Sequence, residues 1–384
     1  MDFELSEEHR SLLREVKEFC RKECGNIDIG QLEESGDNPD EVEKKLLETG
    51  WYGLPFPTEY GGLGRGFFDA GLAVRGLVRW GYPYPGLYQL VVLNALNLFE
   101  NGSEKQRREI LTKVIRGELT VTISVTEPNA GSDIASLTTK AVQRDGGFSI
   151  TGQKVFSSGA AGENNMIILA ARTHPTEKRH KGITLFLVPA KTKGLEFIRL
   201  QSMGRRIGGL YEVFLDEVWV PEENVLGELH GGWKALTKGF NAERAIATCG
   251  YLGFAERIFA DIVKSSRERS CNDKQLGNYS CIAQQIAELA IEIQAAELLS
   301  FRSLYLAEEG KPGIEEVSQS KVYLAELTKK LGDVAMQMAG GNGYLMSSMT
   351  QWFFRESKIS TIGGGSSQMM RTVAAAALGL KQAR

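Results

Sequence analysis

The sequence predicts an α+β protein of three consecutive parts: a helical N-terminal domain, a small middle β domain and a C-terminal four-helix bundle. Three observations predict it. Apolar residues follow a helical period up to about residue 120. Over residues 121–227 they switch to the two-residue alternation, or the short apolar runs, of strands. Beyond residue 230 they return to helical spacing, in spans long enough for antiparallel bundle helices. The expected boundaries are therefore 1–120, 121–229 and 230–384. A chain of 384 residues with 42% hydrophobic content can fill cores for all three.

Residues 5–24 read as an amphipathic helix with Ser6 as N-cap, Glu7 and Glu8 in the first turn, and Leu12, Leu13, Val16 and Phe19 on one face. A second helix spans 40–48 and stops at Gly50. Pro55 to Gly62 reads as a loop. Helices over 67–80 and 86–100 are split by Tyr82-Pro83-Tyr84-Pro85, and another covers 103–117. The β domain has about seven strands, with clear segments at 121–126, 137–144, 147–154, 166–172, 182–190 and 211–220. Asp145-Gly146-Gly147 is a hairpin signal. Helices follow over 232–268, 280–309 and 314–339, a break falls at Gly340-Gly341-Asn342-Gly343, and an Ala-rich helix covers 366–380.

Composition narrows the function. Net charge is −3, which gives no footprint for nucleic acid or an anionic membrane. No apolar run reaches the roughly 18–20 residues of a membrane span. The acidic start MDFELSEEHR is not a signal sequence. Five scattered cysteines, an odd number, point to reduced thiols and a cytoplasmic protein. The four histidines, His9, His174, His180 and His230, form no cluster, so no metal site is expected.

The stretch Val121–Asp133, VTISVTEPNAGSD, reads as a strand running into a turn that offers hydroxyls and backbone N–H groups to a polar, phosphate-bearing cofactor. TEPNAGSD resembles the TEPGAGSD signature of the acyl-CoA dehydrogenases, with Asn129 where glycine is usual. These FAD enzymes oxidise an acyl-CoA thioester at Cα–Cβ. The resemblance runs from residue 1 to about residue 380 and includes PFPTEYGG, GSEKQ and EVWVPEENVLGE. It implies FAD between the β domain and the C-terminal bundle, with the adenosine end reaching a second subunit. On that resemblance Ile123, Val125, Thr126 and Ser132 fall at flavin or substrate contacts. In QKVFSSG, Phe156 takes the place of an aromatic cover on the flavin, and Ser158 that of a hydroxyl near N5. Arg269 matches an arginine that reaches the pyrophosphate of the neighbouring subunit's FAD, but Asn272-Asp273 replace the usual Phe-Gly pair behind it. Gln337, Gly340 and Gly341 match a segment that approaches FAD across the dimer, and Ser366 and Gln368 match the closing motif.

Abstracting a thioester α-proton needs a placed carboxylate, together with donors for the developing enolate oxygen. Most relatives carry the base late in the chain, where this sequence has Gly364 in IGGGSSQ. Glu243, in FNAER, matches the base position of isovaleryl-type enzymes, and Arg244 matches an arginine that helps to hold CoA. Gly364 keeps a backbone N–H for the thioester oxygen. Gly363 to Gly365 either leave room for a short branched or cyclic acyl group or form a plain tight turn. The helix over 86–100 contributes Leu87, Tyr88, Val91, Val92 and Leu96 to the expected acyl pocket; Tyr88 and Val92 are the substrate contacts assigned there. The expected protein is a homotetramer, a dimer of dimers, that passes electrons to an electron-transfer flavoprotein. The alternatives are an enoyl-CoA reductase of the crotonobetainyl type, a flavin-containing acyl-CoA lyase, and a non-catalytic subunit of a mixed tetramer.

Overall fold

The computed structural model describes residues 4–84 and 86–380, with side chains throughout except at 87 and 238–242. The sequence reading of Leu87, Phe240, Asn241 and Ala242 at side-chain level, and of Pro85, lies outside the described residues. Helix α1 (Glu7–Phe19) opens at Ser6, whose hydroxyl accepts the His9 N–H at 3.2 Å, and runs into a π-turn at Cys20–Cys24. Helix α2 (Ile29–Ser35) escaped the sequence reading because seven mostly polar residues carry no apolar stripe. Helix α3 (Asp40–Glu48) ends where expected, with Gly50 in the left-handed region at φ 73°. Helices α4 (Gly66–Arg79) and α5 (Leu87–Asn101) follow. The helix expected over 103–117 is broken by a π-turn, giving α6 (Glu104–Gln106), Arg107–Leu111 and α7 (Thr112–Ile115). Its start is a capping box between Ser103 and Gln106.

Strands β1 (Thr120–Ser124), β2 (Lys140–Arg144), β3 (Gly147–Ser158), β4 (Asn165–Arg172), β5 (Ile183–Pro189), β6 (Leu195–Arg199), β7 (Leu210–Pro221) and β8 (Val225–Leu226) form one eight-stranded sheet. Its order is β6-β7-β3-β2-β4-β5-β8, with β1 lying parallel beside β4. Strand β6 is absent from the segments picked out by sequence; its five residues sit on an edge and pair with β7 alone. The β2–β3 turn is the expected two-residue hairpin, with Asp145 and Gly146 both at positive φ. Helix α8 (Gly232–Glu268) leads to a hairpin of β9 (Ser270–Cys271) and β10 (Lys274–Gln275). Then come α9 (Ser280–Glu308), α10 (Ile314–Ala339), α11 (Met349–Ile359) and α12 (Ser367–Ala377). Helix α11 is a further element that the sequence reading missed.

The chain divides into two compact units. One, mainly helical, gathers residues 1–31, 67–85 and 244–384; the other, mixed, gathers 32–66 and 86–243. The mixed unit is centred on Phe148, Ile150, Ile167, Leu169, Phe186 and Val213, all buried between the strands. Its helices are tied to the β region by side chains that donate to main-chain carbonyls. Asn94 of α5 donates to Val121 O at 3.1 Å, and Gln106 donates to the Glu223 and Val225 carbonyls, both at 2.9 Å. In the helical unit, α4 and α8 touch backbone to backbone: a Cβ on Gly253 would lie 2.3 Å from Arg75 O. Arg75 bridges α8 and α9 through Glu256 and Glu297, each at 2.6 Å. These carboxylates outweigh the burial that would push the guanidinium down and hold it above its usual range.

Candidate active site

In the mixed unit, the candidate flavin contacts assemble where β1 runs out beside a distortion in β3. Lys154 pairs with Val213 and Ser157 with Tyr211, so β3 carries one residue more than β7 over this stretch. The result is a β-bulge, which re-aims side chains. Phe156 sits on it in the left-handed region, φ 60°, and is 62% exposed. A large aromatic in that conformation is a strained outlier of the kind that gathers at ligand sites. The chain beyond β1 lies against the bulge: Val155 N–H donates to Thr126 O at 2.9 Å, and the Ser124 and Ser157 hydroxyls meet at 2.7 Å. Ile123, Val125, Thr126 and Ser158 are half-buried around it, and Ser132 is exposed on the following loop.

That loop is fixed by a buried ion pair on which the sequence reading placed no role. Lys154 Nζ donates to Glu127 Oε1 at 2.8 Å and to Val125 O at 3.2 Å. Glu127 also accepts from the Thr138 N–H and hydroxyl and from the Thr139 N–H. The two side chains are 0% and 4% exposed. Burial pushes the lysine down to about 8 despite its partner. Burial would raise Glu127, but Lys154 and the threonine donors together hold it at about 2. The carboxylate gains where the ammonium loses because it collects more donors. The main chain of Val125 to Glu127 is thereby locked to β3.

Tyr88 and Val92 of α5 are interior residues of this unit. Both are fully buried, and the Tyr88 hydroxyl donates to Trp51 O at 3.0 Å. Glu243 is half-buried on α8.

In the helical unit the candidate residues form two groups. In the first, Arg269 donates to Met338 O and lies against Gly340, where an added Cβ would be 3.4 Å from Nη2. Gly341 has nothing within 4 Å of such a Cβ, and Gln337 is exposed beside these glycines on the last turn of α10. Asn272 and Asp273 form the two-residue turn between β9 and β10, both at positive φ, a conformation that Asn and Asp tolerate.

The second group surrounds the turn between α11 and α12. Gly364 has φ 64° and Gly365 φ 94°. A Cβ on Gly364 would meet only Tyr251 Oη, at 3.9 Å, and one on Gly365 would lie 3.8 Å from Arg244 Nη2. Arg244 and Tyr251 are two turns apart on α8, hence on one face. Ser366 is the N-cap of α12, its hydroxyl accepting the Met369 N–H at 3.2 Å; Gln368 is exposed in the first turn. Lys321, buried on α10, donates to Ser360 O at 2.7 Å and to Gly365 O at 2.6 Å. Neither Tyr251 nor Lys321 was picked out by sequence, since each becomes a neighbour of the glycines only through helix packing.

Three family models match the chain in turn: Acyl-CoA dehydrogenase, N-terminal domain over residues 6–118, the middle domain over 122–218 and the C-terminal domain over 230–379. The chain belongs to the acyl-CoA dehydrogenase family. It is similar to the probable acyl-CoA dehydrogenase YngJ of Bacillus subtilis, 29% identical over 98% of this chain and 99% of that protein. It is also similar to the caffeyl-CoA reductase-Etf complex subunit CarC of Acetobacterium woodii, 27% identical over 96% of this chain and 97% of that protein. Cyclohexane-1-carbonyl-CoA dehydrogenase of Geobacter metallireducens is 29% identical over 97% of this chain and 98% of that protein. Among solved structures, butyryl-CoA dehydrogenase from Megasphaera elsdenii superposes with a TM-score of 0.92 at 26% identity, covering 99% of this chain and all of that one.

The three-domain fold and the FAD-dependent oxidoreductase activity come with the family. The residues present suit FAD. The mixed unit offers an exposed aromatic and a hydroxyl on a rigid bulge, which fits a flat ring system with polar edges. The helical unit offers bare glycine backbone beside a guanidinium, which fits phosphate oxygens.

Proposed function

We propose that this acyl-CoA dehydrogenase removes a proton from Cα and a hydride from Cβ of a short, branched or cyclic acyl-CoA thioester, with Glu243 as the base. The observation that carries this reading is the glycine turn. The late carboxylate is replaced by Gly364, and an added Cβ there faces nothing nearer than Tyr251 Oη at 3.9 Å. A carboxylate must then come from elsewhere, and Glu243 stands on α8 immediately before Arg244. Bound FAD supplies the hydride acceptor. Phe156 and Ser158, with Ile123, Val125, Thr126 and Ser132, would hold its ring system; Ser366 and Gln368, with Arg269, Gln337, Gly340 and Gly341 contributed across the dimer by the neighbouring subunit, would hold the remainder. Glu243 takes the α-proton, and the Gly364 N–H donates to the thioester oxygen as negative charge grows there. Arg244, Ser132 and Gly363 orient the thioester, and Tyr88 and Val92 back the acyl side.

The likeness to a relative named cyclohexane-1-carbonyl-CoA dehydrogenase supports a cyclic or branched acyl group. A second reading runs the same chemistry backwards, as an enoyl-CoA reductase. It is favoured by the similarity to a caffeyl-CoA reductase-Etf complex subunit, whose name also supports an electron-transfer flavoprotein as redox partner. Assembly of some kind, in our reading a homotetramer, is supported by Ile291, Leu298 and Tyr305 on α9, three apolar residues at seven-residue spacing, each about half exposed or more. The free thiols of the five cysteines agree with a cytoplasmic location.

The test is anaerobic titration of the purified flavoprotein with short branched and cyclic acyl-CoAs, parent beside Glu243→Gln. The parent should bleach rapidly, and the variant roughly 10²–10⁴ times more slowly, the usual contribution of a placed base. Equal rates would remove Glu243 from the role. Bleaching by no saturated thioester would favour the reductase.

A further inference from the structure

We infer that Lys321 is the positioning residue for the Gly364 N–H, and so for stabilisation of the enolate oxygen. The inference rests on the dehydrogenase reading above.

Lys321 lies on α10 and is 2% exposed. Its ammonium takes two acceptors that bracket the glycine turn. One is the carbonyl of Ser360, the C-cap of α11; the other is the carbonyl of Gly365, one residue before the N-cap of α12. A single cation therefore closes a loop of four intervening residues at both ends. Two further bonds tighten the closure. The Ser367 N–H donates to Thr361 O at 3.0 Å, and the Ser360 hydroxyl reaches Ala325 O on α10 at 2.9 Å, one turn beyond Lys321. The Tyr251 ring covers the ammonium, with its centroid 5.7 Å from Nζ, and the hydroxyl of the same tyrosine faces the side of Gly364.

A plain helix-capping role would need only Ser360 O, a terminal carbonyl that any cation complements. The bond to Gly365 O is not part of a cap. It fixes the Gly365–Ser366 peptide, two peptide units beyond the one that carries the Gly364 N–H, and together with the bond to Ser360 O it holds both ends of the turn in which that N–H lies. An oxyanion donor acts only if it is aimed before the charge develops. The desolvated ammonium next to the turn also favours an anion there far more than an exposed lysine would.

The experiment compares holoenzyme of the parent, Lys321→Met and Lys321→Gln. Three readouts are taken: acyl-CoA dissociation constant by calorimetry, kcat and KM, and exchange of the substrate α-protons with D₂O followed by NMR. FAD content and melting temperature are recorded on the same samples. Lys321→Met should lose about 100-fold in kcat and in α-exchange, in the range for removal of an oxyanion donor. Its FAD stoichiometry should be unchanged, and its dissociation constant and KM should stay within about threefold of the parent. Lys321→Gln, which keeps a donor for one carbonyl, should fall between. If the methionine variant does not fold, the glutamine variant carries the same comparison. Exchange and kcat within threefold of the parent would overturn the inference. So would losses that track melting temperature and FAD content alone, since those mark a structural cap. A parent with neither exchange nor bleaching would refute the dehydrogenase reading instead.

Discussion

Phe156 holds a backbone conformation that costs a residue with a Cβ about 1–2 kcal/mol, and it does so with its ring exposed. The strain is sustained by the register of β3 against β7, so replacing Phe156 should separate backbone from ring. Phe156→Gly should leave the FAD-free protein as stable as the parent or up to ~1 kcal/mol more stable, read from the urea midpoint. The same variant should hold FAD roughly tenfold more weakly, the value of one lost aromatic contact; FAD fluorescence on dilution measures it. Equal retention would assign the ring to some other partner. Motif residues such as Phe156, Ser158 and Glu243 could be proposed from sequence because they sit in recognisable strings. The bulge beneath Phe156 could not be, because it is a property of two strands 54 residues apart in the register (Ser157 opposite Tyr211 at the bulge). Lys321 and Tyr251 were invisible for the same reason: an isolated lysine or tyrosine on a helix carries no sign of what a second helix brings to it.

At the scale of elements, the joint between β1 and β3 depends on Glu127 and Lys154. Glu127 titrates near 2 in the folded chain against 4.5 without perturbation. Its stabilising contribution is therefore complete above pH 4.5 and is lost as pH falls through the interval down to 2. At one pKa unit per 1.36 kcal/mol, the full contribution is on the order of 3 kcal/mol. Glu127→Gln should be destabilised by that order at pH 7 in urea unfolding, and the gap to the parent should narrow steadily towards pH 3. A gap independent of pH would mean that packing, not charge, holds the loop. Long helices and clear turn signals were read correctly from sequence, as with α8, α10 and the Asp145-Gly146 turn. Of the missed ones, α2 and β6 are short and take their form from neighbours, whereas α11 is eleven residues long and carries its own N-cap, Ser348. Asn272-Asp273, which replace the usual Phe-Gly pair, turn a hairpin that carries the chain from α8 towards α9.

For the whole molecule, the helix–strand–helix sequence of periods was enough to predict the fold class, because each period is imposed by the solvent on every residue of a long segment. Assembly is less accessible, since an apolar stripe shows that something is covered and not what covers it. If Ile291, Leu298 and Tyr305 meet another copy, Leu298→Lys should shift the mass in light scattering to a smaller species at micromolar concentration, with secondary structure unchanged. An unaltered mass would place the contact elsewhere. The division into two units has a consequence for synthesis on the ribosome. The mixed unit holds all its residues once position 243 has emerged, while the helical unit still lacks everything from 244 onwards. At about 5–20 residues per second, that remainder takes roughly seven to thirty seconds to appear. During this interval the buried faces of α1 and α4, which include Leu12, Val16, Leu72 and Leu77, have no completed partner. Nascent chains of this protein should therefore engage holding chaperones through their first eighty-odd residues, and slowing translation after residue 243 should increase their aggregation.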